Sequence, residues 1–133
     1  MSETKEKASI QYNESKRYMN NAYAFLKKAK KNGKIYQDVK YVRVACGTAY
    51  NAVLLALNGF FLLKNIDKPK RRASIEYYQE ALSTIDRKML TSLNIAYQIL
   101  HRNGYYDGFN DIKTILRGFE EAEIIIHKLK ISI

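Results

Sequence analysis

Hydrophobic residues recur every three or four positions along most of this chain, the spacing that puts them on one side of an α-helix. The first such run ends at KKNGK, where the lysines suit a helix C-terminus and Gly33 suits the C-cap. We therefore predict a first helix over about residues 9–31. Its apolar positions are Tyr12, Tyr18, Met19, Ala22, Phe25, Leu26 and Ala29.

A second run predicts a helix over about residues 37–64, beginning near Gln37 or Asp38 and ending before the single proline in NIDKPK. Its segment 44–63 carries no charge over twenty residues, which is long enough to span a bilayer. Polar residues such as Asn58 lie within it, and the other predicted helices are amphipathic. We interpret it as the buried central helix of a soluble protein without a membrane span, and keep the span as the alternative.

The second helix also carries a seam of small residues, spaced four, three, four and three positions apart. Small side chains let a neighbouring helix approach closely. The seam favours packing within the chain over a dimer face. Its members are Ala45, Ala49, Ala52, Ala56 and Gly59.

The third stripe is unbroken and predicts one helix over about residues 75–102, beginning after Ser74 and ending at Gly104. A fourth helix is predicted over about residues 109–130, with Asp107 or Asn110 at its start. The third stripe consists of Ile75, Tyr78, Leu82, Ile85, Met89, Leu93, Ala96 and Leu100. The fourth helix would turn Phe109, Ile112, Leu116, Phe119, Ile126 and Leu129 inward and Glu120, Glu121 and Glu123 outward.

Short connections between long helices imply antiparallel neighbours, so the expected fold is an all-α, up-down-up-down four-helix bundle formed by a single domain, residues 1–133. One proline, six glycines and no tryptophan agree with few connections. Alternating directions place the first connection, residues 27–34, at the same end of the bundle as HRNGYYDGF, residues 101–109.

The net charge of +10 is spread unevenly. Residues 1–43 hold eleven Lys or Arg against four acids, residues 64–72 hold five against one, and residues 73–133 hold seven against eight. An excess of positive charge on part of a small domain points to a polyanionic partner such as nucleic acid. The alternative is that the lysines only keep the bundle soluble.

The shared end of the bundle collects cations and aromatic rings, a combination that binds phosphates and stacks bases. We predict a ligand site there, against the alternative that the glycines only turn the chain and the tyrosines pack over the core. The candidate ligand-binding residues are Lys27, Lys28, Lys30, Lys31, His101, Arg102, Asn103, Tyr105 and Tyr106, with Lys34 beside them.

Other chemistry is disfavoured. Cys46 is the single cysteine and lies in an apolar run, which is typical of a small buried hydrophobe in a reducing cytosol. Two distant histidines and one cysteine do not have the spacing of a zinc site, and no Gly-rich phosphate loop or CxxC motif is present. The first ten residues have no apolar signal region. We expect a cytoplasmic protein with no metal and no cofactor.

Two stretches together resemble one family. VRVACGTAYNAVLLALNGFFLLK is similar to the second helix of the HEPN superfamily (higher eukaryote and prokaryote nucleotide-binding domains), a family of bundles with four or five helices. HEPN ribonucleases carry R-x(4-6)-H, and in some toxins R-N-x-x-x-H-x-Y, where the penultimate long helix gives way to the last. Here Arg102 and Asn103 match that motif, but Asp107 and Phe109 stand where the family has histidine and tyrosine.

The departure bears on catalysis. In the family the arginine is expected to hold the phosphate, while the histidine shuttles protons for attack by the RNA 2′-hydroxyl. An aspartate is ionised at neutral pH and would repel the phosphate, so Asp107 is expected to pair with Arg102 instead. His101 and His127 do not fall in register with the motif. The resemblance therefore implies a degenerate HEPN-like bundle from a bacterial family, with no catalytic residue.

Three functions follow from these observations. The favoured one is a non-catalytic bundle, a homodimer, that binds RNA, a nucleotide or another phosphate-bearing partner through its basic end. The alternative is a protein-interaction module of a bacterial complex that binds no nucleic acid. The third is a divergent ribonuclease that uses Asp107 with His101.

Overall fold

Most of the chain folds into helices, as the spacing of its apolar residues predicted. The computed structural model describes residues 2–133, which form five α-helices, a π-helical segment and one two-stranded hairpin. In chain order these are α1 (Glu3–Ala29), β1 (Lys31–Asn32), β2 (Ile35–Tyr36), α2 (Val39–Leu63), α3 (Ile75–Ile85), α4 (Arg87–Ala96), the π-helical segment (Tyr97–Tyr106) and α5 (Ile112–Ser132).

The first helix starts earlier than predicted because Ser2 caps it. The Ser2 hydroxyl oxygen accepts a hydrogen bond from the Lys5 amide at 3.1 Å. The helix also ends two residues sooner than predicted, since Lys30 adopts a positive φ of 57° and Lys31 pairs with Tyr36 across the hairpin. Gly33 is therefore not a helix cap; its φ of 63° serves the hairpin turn.

The second helix lies where it was predicted, with Asp38 as its N-cap. All five residues of its small-residue seam are buried within the chain. A Cβ atom on Gly59 would press on Leu129 of α5 and Gln11 of α1. The seam thus packs against the chain's own helices, as expected. By length and composition α2 could also cross a membrane. The buried core helix of a soluble protein can have the same length and composition.

The third predicted helix was wrong in two places. Asp86 has extended backbone angles (φ −162°, ψ 93°), so the helix divides there into α3 and α4. The Asp86 carboxylate then caps α4 by accepting from the Met89 amide at 3.0 Å. Gly104 does not end the helix either, because π-helical structure continues to Tyr106. The spacing of apolar residues continues unchanged through this capped break, so the sequence pattern did not predict the break.

The last helix begins at Ile112 and not near residue 109, because the Asp111 carboxylate accepts from the Thr114 amide at 3.0 Å. Phe109 lies ahead of this cap, outside the helical phase, and is 45% exposed, so its inward placement was wrong. Glu121, predicted outward, is buried and pairs with Arg117 at 3.1 Å.

Contacts at the helix ends fix the directions of the long helices. α1 and α2 are antiparallel, since the Asp38 amide donates to Ala29 near one end and Gly59 approaches Gln11 near the other. α5 runs antiparallel to α4, since its C-terminal Lys128 meets Asp86 at 3.7 Å. The largest fully buried side chains between them include Phe60, Phe119, Met19, Leu57, Leu82, Leu93 and Leu100.

Candidate functional site: the tyrosine groove

HRNGYYDGF lies mostly inside the π-helical segment, so it is not a simple break between helices. The Asp107 amide donates to the carbonyl of Arg102, five residues earlier, at 3.0 Å. π-helical turns are rare in proteins and occur frequently at functional sites. The chain leaves the helix only at Gly108, whose φ of 67° reverses its direction.

Two contacts with α2 hold this segment in place. Gly104 sits directly against Cys46, where any Cβ atom would overlap the Cys46 side chain. The Arg43 guanidinium donates to the carbonyl oxygens of Tyr106 at 2.8 Å and Tyr105 at 3.4 Å. Arg43 therefore caps the C-terminal end of the segment, where helix carbonyls lack partners.

Four tyrosines surround His101, and we call these five residues the tyrosine cluster: Tyr50, Tyr97, His101, Tyr105 and Tyr106. The His101 ring is nearly parallel to those of Tyr97 (29°, centroids 5.2 Å apart) and Tyr105 (13°, 6.1 Å). Tyr106 meets His101 edge-on at 5.0 Å, and Tyr50 lies 4.7 Å away. Residues four apart line up along the π-helical segment and produce this row of rings.

The cluster forms one side of a groove of about 770 Å³, here called the tyrosine groove. Other residues of α2 and the residues that lead into α3 complete its lining. Tyr105 and Tyr106 are 45% and 62% exposed, so their rings are accessible. Polar side chains also line the groove, namely Thr48, Asn51, Arg72, Ser74 and Glu76.

Burial shifts the pKa of two residues in the cluster, His101 and Tyr50. Partial burial, with the nearby Arg102 charge, lowers the pKa of His101 below its usual 6.5, so the neutral imidazole is favoured. Burial raises the pKa of Tyr50, which keeps its hydroxyl protonated. Beneath the segment, burial raises the pKa of the Cys46 thiol to about 12. This cysteine is a buried hydrophobe, as predicted, and not a reactive thiolate.

Arg102 is exposed and borders a smaller depression of about 250 Å³, together with Tyr97, His101, Tyr106 and Asp107. The expected ion pair between Arg102 and Asp107 is not found among residues 2–133, so that expectation was wrong. The Asn103 side-chain oxygen accepts a hydrogen bond from the side-chain nitrogen of Gln98 at 2.9 Å.

The predicted lysines lie at the same end as HRNGYYDGF. The hairpin contacts the chain just after the π-helical segment, since the Tyr36 amide donates to Asn110 at 2.9 Å and the Ile112 amide to Lys34 at 3.0 Å. None of these lysines lines the tyrosine groove, however. Lys27, Lys30 and Lys31 border a separate depression of about 500 Å³ with Tyr23, Leu26 and Tyr36. Lys28 lies 5.8 Å from the Phe25 ring centre and 5.9 Å from that of Tyr41.

Several residues of the groove were not predicted. Tyr97 had a signal in the sequence, because it precedes His101 by four residues just as Tyr105 follows it by four. Arg72 and Tyr50 gave no such signal, since they are distant in sequence and only the fold brings them near the segment. Across residues 2–133 no cluster of three or more His, Cys, Asp or Glu side chains could hold a metal ion.

Comparison with known proteins supplies a family but no activity. The family described as "domain of unknown function (DUF5618)" matches residues 10–131. A solved structure, a protein of unknown function from Dyadobacter fermentans, is 38% identical and superposes with a TM-score of 0.87; the match covers 95% of this chain and 98% of that one. Curated proteins give no match. Because the family match spans nearly the whole chain, this protein belongs to the DUF5618 family.

Proposed function

We propose that this protein is a non-catalytic binding protein that takes RNA, a nucleotide or another phosphate-bearing partner in the tyrosine groove. The single observation that carries the proposal is the row of rings on the π-helical segment, of which Tyr105 and Tyr106 are exposed. Tyr105 and Tyr106 offer accessible rings, and bases stack on aromatic rings whatever their sequence. Thr48 and Asn51 provide hydrogen-bonding groups beside them.

Arginines at the groove and beside it suit the phosphate. Arg72 lines the groove itself, and Arg102 borders the adjoining depression. Both are exposed and neither forms an ion pair within the described chain, residues 2–133, so each guanidinium is free to bind a phosphate. Two carboxylates lie in the same surroundings, since Glu76 lines the groove and Asp107 borders the depression. Lys27, Lys30 and Lys31 lie outside the groove, and their role in the proposal is to attract a polyanion over a longer range.

We propose no catalytic role for this site because the residues present do not form a general acid–base pair. Asp107 occupies the position where the HEPN motif has histidine. His101 borders the same depression, but its ring is stacked between Tyr97 and Tyr105, and no hydrogen bond joins it to Asp107 among the described residues. A proton shuttle between the two would need that contact or a bridging water.

A relationship to the HEPN superfamily is part of the same proposal. The antiparallel pairs α1–α2 and α4–α5 support an up-down-up-down bundle of four helical units, in which α3, α4 and the π-helical segment act as the third. Arg102 and Asn103 lie where the penultimate helical unit gives way to the last. We further propose a cytoplasmic homodimer.

Binding of a fluorescein-labelled single-stranded RNA, measured by fluorescence anisotropy at two salt concentrations, tests the proposal. We expect salt-sensitive binding. Tyr106→Ala should weaken it by roughly 5- to 150-fold, the range for loss of one stacked base, and Arg102→Ala should also weaken it. Replacing Lys27, Lys28, Lys30 and Lys31 by Ala should mainly reduce the dependence on salt.

Matched substitutions distinguish binding in the groove from a general effect of removing a positive charge or an aromatic ring. Phe109→Ala removes an exposed ring outside the groove, and Arg87→Ala removes an exposed arginine at the start of α4. Both should leave the affinity unchanged, as should Tyr106→Phe, which keeps the ring. Equal losses in Tyr106→Ala and Phe109→Ala would contradict the proposal. RNA cleavage that disappears in Arg102→Ala would favour the divergent ribonuclease instead.

The alternative is a protein-interaction module, and exposed apolar residues on α5 favour it. Ile124 and Ile131 are 52% and 64% exposed and lie on the same side of the helix, two turns apart. With Met89 they line a depression of about 240 Å³. Under this alternative a partner protein co-purifies from the native cell, Ile131→Glu releases it, and the RNA titration is flat.

A further inference from the structure

A second groove lies on the part of the molecule formed by the start of α1, the end of α2, the segment 64–74 and α3. Its volume is about 560 Å³, within the usual range for small-molecule sites. We call it the apolar groove. Most of its lining is hydrophobic and includes Ile10, Phe61, Ala73, Tyr77 and Tyr78.

Internal hydrogen bonds and ring contacts hold the walls in place. The Tyr78 hydroxyl donates to the Asn58 side chain at 2.8 Å, and the Tyr77 hydroxyl donates to the Asp67 carbonyl at 2.8 Å. The Phe61 ring packs against both tyrosines, with centroids 5.7 and 5.6 Å apart. Because these two hydroxyls already have partners, the tyrosine rings can present apolar surface to a ligand. The buried side-chain oxygen of Gln11, which also lines the groove, has no hydrogen-bond partner among residues 2–133.

The remaining polar lining is cationic or neutral. Lys7 and Lys68 border the groove, and none of its lining residues is acidic. Lys68 has no ion pair among residues 2–133, and Lys7 meets Glu3 at 3.3 Å in an exposed pair. Exposed pairs of this kind contribute little, so Lys7 can turn to a ligand at small cost. The segment 64–72 adds further positive charge.

From this combination we propose that the apolar groove binds a free fatty carboxylate, with the alkyl chain between Ile10 and the aromatic wall and the carboxylate between Lys7 and Lys68. An apolar groove with positive charge at its border complements a molecule that has one anionic end and an alkyl chain. Ile10 supports the assignment, because this large apolar side chain is 60% exposed at the groove and would be covered by the chain of the ligand.

The site is separate from the proposed phosphate site. Tyr78 and Ala73 border both grooves, but the tyrosine cluster contributes nothing to the apolar one. Absence of RNA binding would therefore not count against fatty-carboxylate binding. Absence of fatty-carboxylate binding would likewise not count against RNA binding.

Titration of dodecanoate into the full chain by isothermal calorimetry, below the micelle concentration, tests the proposal. We expect saturable binding of one dodecanoate per chain. Ile10→Glu, which places a carboxylate in the groove, should weaken it at least tenfold. The matched change Ile35→Glu, at an isoleucine that is 43% exposed on the hairpin, should have no effect. Both positions are exposed, so both variants are expected to fold.

The charge of the ligand is tested separately. Lys68→Gln should weaken dodecanoate binding several-fold, with a smaller difference at high salt, whereas the exposed Lys113→Gln should not. Dodecanol, which has the same chain and no charge, should bind more weakly than dodecanoate. Equal affinity for dodecanol and dodecanoate would overturn the proposal, as would equal effects of Ile10→Glu and Ile35→Glu. Binding only to phosphatidylglycerol vesicles, with none to dodecanoate, would assign the groove to a membrane surface instead.

Discussion

Gly104 joins the π-helical segment to the core. Its backbone packs directly against the Cys46 side chain of α2. A methyl group at this position would overlap the Cys46 side chain. We predict that Gly104→Ala lowers the free energy of unfolding by about 1–3 kcal/mol, the usual cost of overpacking. Urea denaturation measures it. Gly33→Asn is the control, since Gly33 has open space around it and asparagine tolerates a positive φ.

The contact with Cys46 gives this prediction a second test. In a Cys46→Ala background the sulfur is gone, so Gly104→Ala should cost less than it does in the native chain. Residues in contact show such coupling, whereas independent sites add. Strict additivity of the two substitutions would mean that the destabilisation arises elsewhere.

His101 is expected to make the stability of the protein depend on pH. Its folded-state pKa lies below the ordinary value because of burial and then Arg102, so the neutral ring is stabilised by folding. Stability from this source is present above the unfolded pKa of 6.5 and is lost as the pH falls through the folded value. We predict that the free energy of unfolding declines from pH 7.5 to 5, and that His101→Asn reduces this slope. If the exposed His127→Asn reduced it equally, the cluster would not be the cause.

At the scale of the elements, Asp86 decides where one predicted helix becomes two. Its carboxylate caps α4 and lies 3.7 Å from Lys128. We predict that Asp86→Ala costs about 1 kcal/mol, the usual effect of losing an N-cap. Lys128→Ala, which removes only a partly exposed ion pair, should cost much less. Thermal denaturation of both variants distinguishes the two contributions, and equal losses would assign the effect to the ion pair.

The π-helical segment is the element that sequence patterns predicted least well. Its apolar residues Ile99 and Leu100 continue the helical stripe, so periodicity indicated an ordinary helix that stops at Gly104. Tertiary contacts support the helix beyond Gly104. Gly104 packs closely against Cys46, and the Arg43 guanidinium donates to the carbonyl of Tyr106 at the end of the segment. Neither partner is near the segment in the sequence.

At the scale of the whole molecule, the proposed homodimer needs an apolar face that the chain itself leaves uncovered. Ile124 and Ile131 on α5 are such residues. We predict a dimer by sedimentation equilibrium at micromolar concentration and its weakening by Ile131→Glu. Ile35→Glu serves as the matched control on the hairpin. A monomer at every concentration tested would remove the homodimer from the proposal.

The sequence by itself determined the all-helical class, the extent of α2 and its small-residue seam, because the spacing of apolar residues and the caps Asp38 and Ser74 are local signals. It also singled out HRNGYYDGF, through its unusual mixture of glycines, aromatics and cations.

Only the tertiary structure decided what that stretch forms. Contacts with α2 extend it as a π-helix, and the fold brings Tyr50 and Arg72 to its open side while the lysines of the first connection border another depression. The physical reason is that periodicity reports which side of a helix is buried, whereas a groove depends on which distant residues the packing leaves facing one another.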